Sequence, residues 1–126
     1  MTVRYRTEGF VFNKEDRFDC DRTFTVFTKD FGKVELFAKA IRKINSKLRS
    51  GIDIFYLSEV EFIQGRNKKT LTGSLSVNKF SSIYRTSEKF EVASKITEIV
   101  RNFIKGEEKE EKIFNLLNVT FNKLND

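Results

Sequence analysis

Eight cations are the residues of this chain whose types and spacing point to chemistry. Between Leu36 and Ile52 stand Lys39, Arg42, Lys43, Lys47 and Arg49, with no Asp or Glu among them. A second group, Arg66, Lys68 and Lys69, follows Gly65. Lys and Arg at this density attract polyanions, because each phosphate they neutralise releases a condensed counterion. The wider balance agrees. Residues 1–86 hold 17 Lys/Arg against 10 Asp/Glu, net +7, whereas residues 87–126 hold 7 against 8, net −1. A basic first part joined to a near-neutral second part suits a polyanion-binding module. The competing reading is two solvated loops on an ordinary basic protein. Tyr5, Phe10 and Phe37, expected on the outer face of their strands, could stack nucleobases. Most of the 14 Phe are expected in the core.

Other chemistry has little to stand on. The chain has no His, which removes the commonest general base and the commonest metal ligand. Cys20 is the single cysteine, so no internal disulfide can form, and a reducing, cytoplasmic setting is expected. Asp16, Asp19 and Asp21 lack the central Gly and closing Glu of a cation loop, and Arg17 and Arg22 stand ready to pair with them. Asp30-Phe31-Gly32 copies three letters of a kinase signature without its companion motifs, and reads as a turn. No nucleophile has a base, and no carboxylate pair or phosphate loop stands out. No catalytic residue, metal or cofactor is expected, and the protein is not expected to be an enzyme. No apolar run approaches the ~20 residues a membrane span needs, so no membrane partner is expected.

The elements that must position the cations are mostly strands. Val3–Phe12, Arg22–Thr28, Lys33–Lys39 and Thr70–Asn78 alternate with period two. Asp53–Ile63 is long and aromatic, and apolar on both faces over Ile54–Leu57, which implies burial or a bulge there. Gly9 marks a bulge or a close backbone approach. Asn13–Asp21 reads as a polar loop, Asp30-Phe31-Gly32 as a hairpin turn, and Ala40–Gly51 as a basic connector with a helical turn near Ser46–Leu48. In the last strand Leu71, Leu75 and Val77 share a face. Five short strands in about 80 residues are too few for a sandwich, and closing them into a small barrel removes their edges. From Thr86 the period becomes helical. Thr86 or Ser87 caps a stripe of Val92/Ala93, Ile96, Ile99/Val100 and Phe103, with Gly106 as C-terminal cap. Glu107–Glu111 opens a second helix carrying Ile113, Phe114, Leu117, Phe121 and Leu124. Two helices cannot cover both stripes mutually, so they must dock on the barrel, on a partner or on further chain, and self-association is expected if nothing else covers them.

The segments TEGFVF (Thr7–Phe12), DRTFTVFTKDFGKVELFAKAIRK (Asp21–Lys43) and SKLRSGIDIFYLSEVEF (Ser46–Phe62) resemble, in order and spacing, the amino-terminal part of the bacterial recombination mediator RecO. The resemblance spans about residues 1–80 and continues more weakly into the helices. It implies a mainly β fold with α, a five-stranded OB-fold barrel over residues 1–80 that binds DNA, followed by a helical segment at 81–126 that begins a helical domain. It also implies binding of single- and double-stranded DNA, strand annealing, and work with RecR to load the recombinase RecA onto DNA coated by single-strand-binding protein. Family members are roughly twice this length, and many carry a cysteine-rich zinc site in their later part. The chain is therefore expected to be a piece of such a protein. Ile44 stands where the family often has proline. The eight cations are the expected DNA contacts, with OB folds holding strands between the first hairpin loop and the loop joining strands four and five. The alternative is a protein-interaction module that works through its apolar helical surface.

Overall fold

The computed structural model describes residues 3–126. Five strands, β1 (Arg4–Asp16), β2 (Arg22–Thr28), β3 (Gly32–Ala38), β4 (Leu57–Gln64) and β5 (Lys69–Asn78), precede three helices, α1 (Ser81–Arg85), α2 (Ser87–Phe103) and α3 (Glu111–Asn125). The strands form a closed barrel in the order β1-β2-β3-β5-β4, so each is paired on both sides. All pairs are antiparallel except β3–β5, where Leu36 lies beside Lys69 and Phe37 beside Thr70. This is the OB-fold expected from the resemblance.

Two apolar layers lie on opposite surfaces of the one sheet. Inside, Val11, Phe24, Val26, Val34, Leu36, Val60, Phe62 and Leu71 are buried. Outside, Phe10, Phe12, Phe27 and Leu57 pack with Phe80, Ile83, Ala93, Ile104, Phe114, Leu117 and Phe121 from the helical part. Phe12 joins Phe10 on the outer surface by ordinary alternation, and the β1–β2 register then shifts between Val11 and Asn13, which sets Asn13 opposite outward-facing Thr25. The extra residue of a bulge resets the alternation. Gly9 meets the second half of its expectation: a Cβ there would lie 2.4 Å from Val26 Cγ1.

Several boundaries differ from expectation. Polar residues 13–16, expected in a loop, extend β1, pairing from Asn13 with Thr25 to Asp16 with Arg22. The ladder asks only for backbone groups, and the side chains pair as ions, Arg22 Nε donating to Asp16 at 2.7 Å. β4 begins at Leu57 rather than Asp53. Ahead of it a buried turn puts Phe55 at φ 69°, and its backbone N–H donates to Val11 O at 2.8 Å. Leu75 and Val77 do not share the buried side of Leu71. The register shifts opposite Glu61/Phe62 and again opposite Leu57/Ser58, leaving Leu75 65% and Val77 49% exposed.

The hairpin turn of β2 and β3 is built as expected. Thr28 Oγ1 donates to Gly32 O at 2.7 Å and accepts from Phe31 N at 2.9 Å. Gly32 takes φ +67°, and a Cβ there would strike the backbone of Glu108 at 2.3 Å. The turn thus seats directly against the chain between α2 and α3. Thr86 caps α2 by accepting from Lys89 N, as read. α2 ends at Phe103, earlier than the expected Gly106 cap. Gly106, at φ +60°, shapes the following turn, and its carbonyl accepts from Lys33 N at 2.8 Å. The helices dock on the sheet through Ala93, Phe114, Leu117 and Phe121. Ile99, Phe103, Leu116 and Val119 stay exposed. Among the described residues no helix is long and apolar enough to cross a membrane.

Phe10 sits between sheet and helices, with ring centroids 5.2 Å from Phe114 and 5.5 Å from Phe121. Phe10→Ala should lower the unfolding free energy by about 3–5 kcal/mol, with sheet and helix signals lost in one denaturant transition. On the opposite side Glu61 fastens three strands, accepting from Arg4 at 3.1 Å, Arg6 at 2.9 Å and Thr72 at 2.9 Å. The hydrogen bond from Arg6, then those from Thr72 and Arg4, hold its carboxyl below its ordinary value of 4.5. This stabilisation is complete above about 4.5 and is lost as pH falls through the lowered value. Glu61→Gln should accordingly flatten the acid limb of a plot of Tm against pH.

Candidate nucleic-acid interface

The helices cover the turn end of the β2–β3 hairpin and leave its other end open. Outward side chains there are Thr23 and Thr25 on β2, paired with Phe37 and Glu35 on β3. The loop between β1 and β2 (17–21) stands at one border. The loop between β4 and β5 (65–68) stands at the other.

The second loop reaches the face directly. Lys68 Nζ lies 3.8 Å from the centroid of the Phe37 ring, a cation–π contact across strands. Phe37, half-buried, is the aromatic of this surface. Lys39 follows it at the outward-facing spacing of two residues and is exposed. Arg66 is exposed beside Lys68. A groove of about 540 Å³ runs between this loop, β3 and the end of α2, lined by Lys33, Glu35, Arg66, Lys68, Lys69 and Arg101 among others. Lys69 differs from its neighbours: its ammonium donates to Glu107 at 2.9 Å, and its side chain is only 16% exposed. It fixes the α2–α3 turn to β5 rather than offering a free charge.

The basic connector is not a loose arm. Ile41 and Ile52 are buried and join the interior layer, with Leu48 packed against it. Ser74 Oγ donates to Leu48 O at 2.7 Å, and Ser58 Oγ donates to Gly51 O at 2.7 Å. The connector therefore closes one end of the sheet, and its short 3₁₀ turn lies at Arg49–Gly51, slightly later than expected. Its cations divide accordingly. Lys39, Arg42 and Lys43 stand near the β1–β2 loop. Lys47 and Arg49 stand toward β5, although Arg49 Nη1 reaches back to Lys43 O at 3.4 Å. Lys39, Lys43, Lys47, Arg66 and Lys68 are exposed and have no ion pair among the described residues. Arg42 is committed: Nη2 donates to Arg17 O at 2.6 Å, its backbone N–H to Cys20 O at 3.0 Å, and Nη1 lies 3.7 Å from Asp16.

The aromatic expectations separate. Phe37 is where it was expected. Phe10 is on the outer surface but fully buried under the helices, out of reach of any ligand. Tyr5 is not on the outer face as expected: it pairs with interior Phe62 in the β1–β4 register and stacks on it with centroids 5.5 Å apart, at the mouth of the sheet. Among the acids of the first loop, Asp16 holds Arg22, whose hydrogen bond lowers its carboxyl below the ordinary value. Asp21 Oδ1 accepts from Ala40 N at 2.6 Å. Arg17 pairs with Glu15 rather than with an Asp. Among the described residues no three or more His, Cys, Asp or Glu gather into a group that could hold a metal ion. Lys33 and Arg101 enter the groove without having been singled out. Lys33 carried a signal, since it shares strand parity with Phe37 and Lys39. Arg101 carried none, because only the docking of α2 brings it there.

A family model described as recombination protein O, N terminal, matches residues 1–80. The DNA repair protein RecO of Dehalococcoides mccartyi (strain ATCC BAA-2266) is 30% identical over 122 residues, 97% of this chain and 48% of that protein. RecO of Heliobacterium modesticaldum is 30% identical over 96 residues, 76% of this chain and 35% of that protein. RecO of Nostoc sp. (strain PCC 7120) is 24% identical over 126 residues, 100% of this chain and 43% of that protein. The chain thus spans about half the length, or less, of the curated relatives it matches.

The bonds from Arg42 make one local expectation. Arg42→Ala should speed amide hydrogen exchange at Arg17 and Asp21, whose N–H groups close the first loop, and leave Phe24 and Val26 in β2 unchanged.

Proposed function

The chain belongs to the RecO family, and from that premise we propose that it binds DNA through the open face of β2 and β3 as part of a non-catalytic DNA repair protein. One observation carries the reading. Unpaired cations from two distant segments, Lys39 and Lys43 on the connector and Arg66 and Lys68 on the β4–β5 loop, border a surface with half-buried Phe37 between them. Phosphates lie along the cations, and an unpaired base has an aromatic face to meet. In the whole protein this surface would serve recombination: holding single- and double-stranded DNA, annealing complementary strands, and acting in the cytoplasm with RecR, single-strand-binding protein and RecA. The 1–80 part would be the DNA-binding domain, and 81–126 the start of a helical one.

A second reading, a protein-interaction module that can self-associate, has one observation in its favour. Ile96, Ile99, Val100, Ile113, Leu116 and Leu117 line an apolar pocket of about 200 Å³ between α2 and α3. Fluorescence anisotropy with a labelled oligonucleotide separates the two, since the module would not bind DNA at low salt.

The same assay tests the contacts. Lys43→Gln and Lys68→Gln should each weaken single-strand binding and reduce the slope of log K against log salt by about 0.7, the value of one phosphate contact. Lys69→Gln should leave that slope unchanged, because Glu107 already holds its charge. Equal slopes for all three variants would remove these cations from the interface.

A further inference from the structure

We propose that Phe18, at the tip of the β1–β2 loop, is a base-stacking residue that selects unpaired over duplex DNA. The inference rests on the DNA-binding reading above and names a contact within it.

Phe18 is 91% exposed, the most exposed of the phenylalanines. A lone exposed apolar side chain needs no explanation. What singles this one out is the backbone that presents it. Asp19 and Cys20, the next two residues, take φ 56° and 68°, and Ala40 on the facing connector takes φ 56°. None is glycine, so each conformation costs free energy that the surroundings must offset. They do so with a dense set of bonds. Arg17 N donates to Asp21 O at 2.8 Å, and Asp21 N to Phe18 O at 3.1 Å. Ala40 N donates to Asp21 Oδ1 at 2.6 Å, and Arg42 clamps the carbonyls of Arg17 and Cys20. The loop is short, cross-tied to the connector, and ends in an aromatic ring that packs on nothing.

The surroundings are those of a strand-binding site. Lys43, exposed and without an ion pair among the described residues, lies on the connector that is bonded to its loop, whereas Arg17 and Arg42 beside it are already held by Glu15 and Asp16. Ile44, 95% exposed, follows Lys43 as a second apolar tip on that connector. A cation beside an exposed aromatic fits phosphate and base of one nucleotide together. The loop also borders the Thr23–Phe37 end of the open face, opposite the border held by Lys68. A strand crossing from one loop to the other would meet Phe18 first and Phe37 next. Stacking on Phe18 requires a base free of its own stack, which a duplex does not offer, whereas phosphate contacts serve both forms.

The test uses labelled oligothymidine and a matched duplex. Phe18→Ala should weaken single-strand binding by roughly 10- to 100-fold, the loss of one base stack, with its salt slope and the duplex affinity unchanged. Phe18→Trp should restore binding. The chain has no Trp, so that indole is the sole one, and its fluorescence should be quenched on adding the oligonucleotide. Phe18 buries nothing, so both variants should melt with the parent. If Phe18→Ala binds single strands like the parent while Lys43→Gln does not, the inference fails and the DNA-binding reading stands. A parent chain that binds no DNA at low salt ends both.

Discussion

Phenylalanine burial on both surfaces of one small sheet is the constraint from which the rest follows. A five-stranded barrel of this size encloses a narrow interior, filled here by Phe24, Phe62 and aliphatic neighbours. Phe10, Phe12 and Phe27 point the other way, so the sheet has an apolar outer surface that water cannot be left to cover. The helices answer that need. Because Phe27 pairs with Lys33 near the hairpin turn, the helices cover that end of the β2–β3 face. The opposite end, from Thr23 to Phe37, is left open. The position of the candidate site is thus a consequence of where the outward phenylalanines lie.

The same logic assigns two jobs to the connector. Its cations are what the sequence displays, but Ile41, Leu48 and Ile52 anchor it across the end of the barrel. A segment fixed at three apolar points holds its charged side chains in set directions. Arg42 adds a polar tie by bonding the neck of the β1–β2 loop. It contributes more to shape than to free charge, as Lys69 does on the far border. Counting cations overstates the interface, and asking what each already touches corrects the count.

Much of this was legible in the chain. Period-two alternation and the Asp30-Phe31-Gly32 turn located β2, β3 and the hairpin to within a residue, because one face of each strand is buried and its pattern is undisturbed. The Thr86 cap located the start of α2 for the same kind of reason, a local bond made by a neighbouring residue. What failed to show was parity across bulges. Phe12, and the extra residues near Thr72 and Val77, each shift the alternation by one, which sends Leu75 outward although it matches Leu71 in spacing. Positive φ at Phe55 and Phe80 was equally hidden, since non-glycine residues enter that region only when tertiary contacts hold them there. Of the candidate site, the cations and Phe37 could be named from the sequence. Their pairing could not, because Glu107 lies 38 residues from Lys69 and meets it only through the docked turn.

That dependence on docking bears on how the two parts of the chain relate. The β2–β3 turn touches the α2–α3 turn backbone to backbone, Lys33 N donating to Gly106 O, with Gly32 leaving no space for a side chain between them. The groove beside the β4–β5 loop takes one wall from the sheet and another from Arg101 and Glu107. A displacement of the helices would therefore move Arg101, free Lys69 and reshape one border of the open face, while the border at the β1–β2 loop, tied to the connector and to Thr23 of β2, would stay as it is. One edge of the face answers to the helices and the other does not.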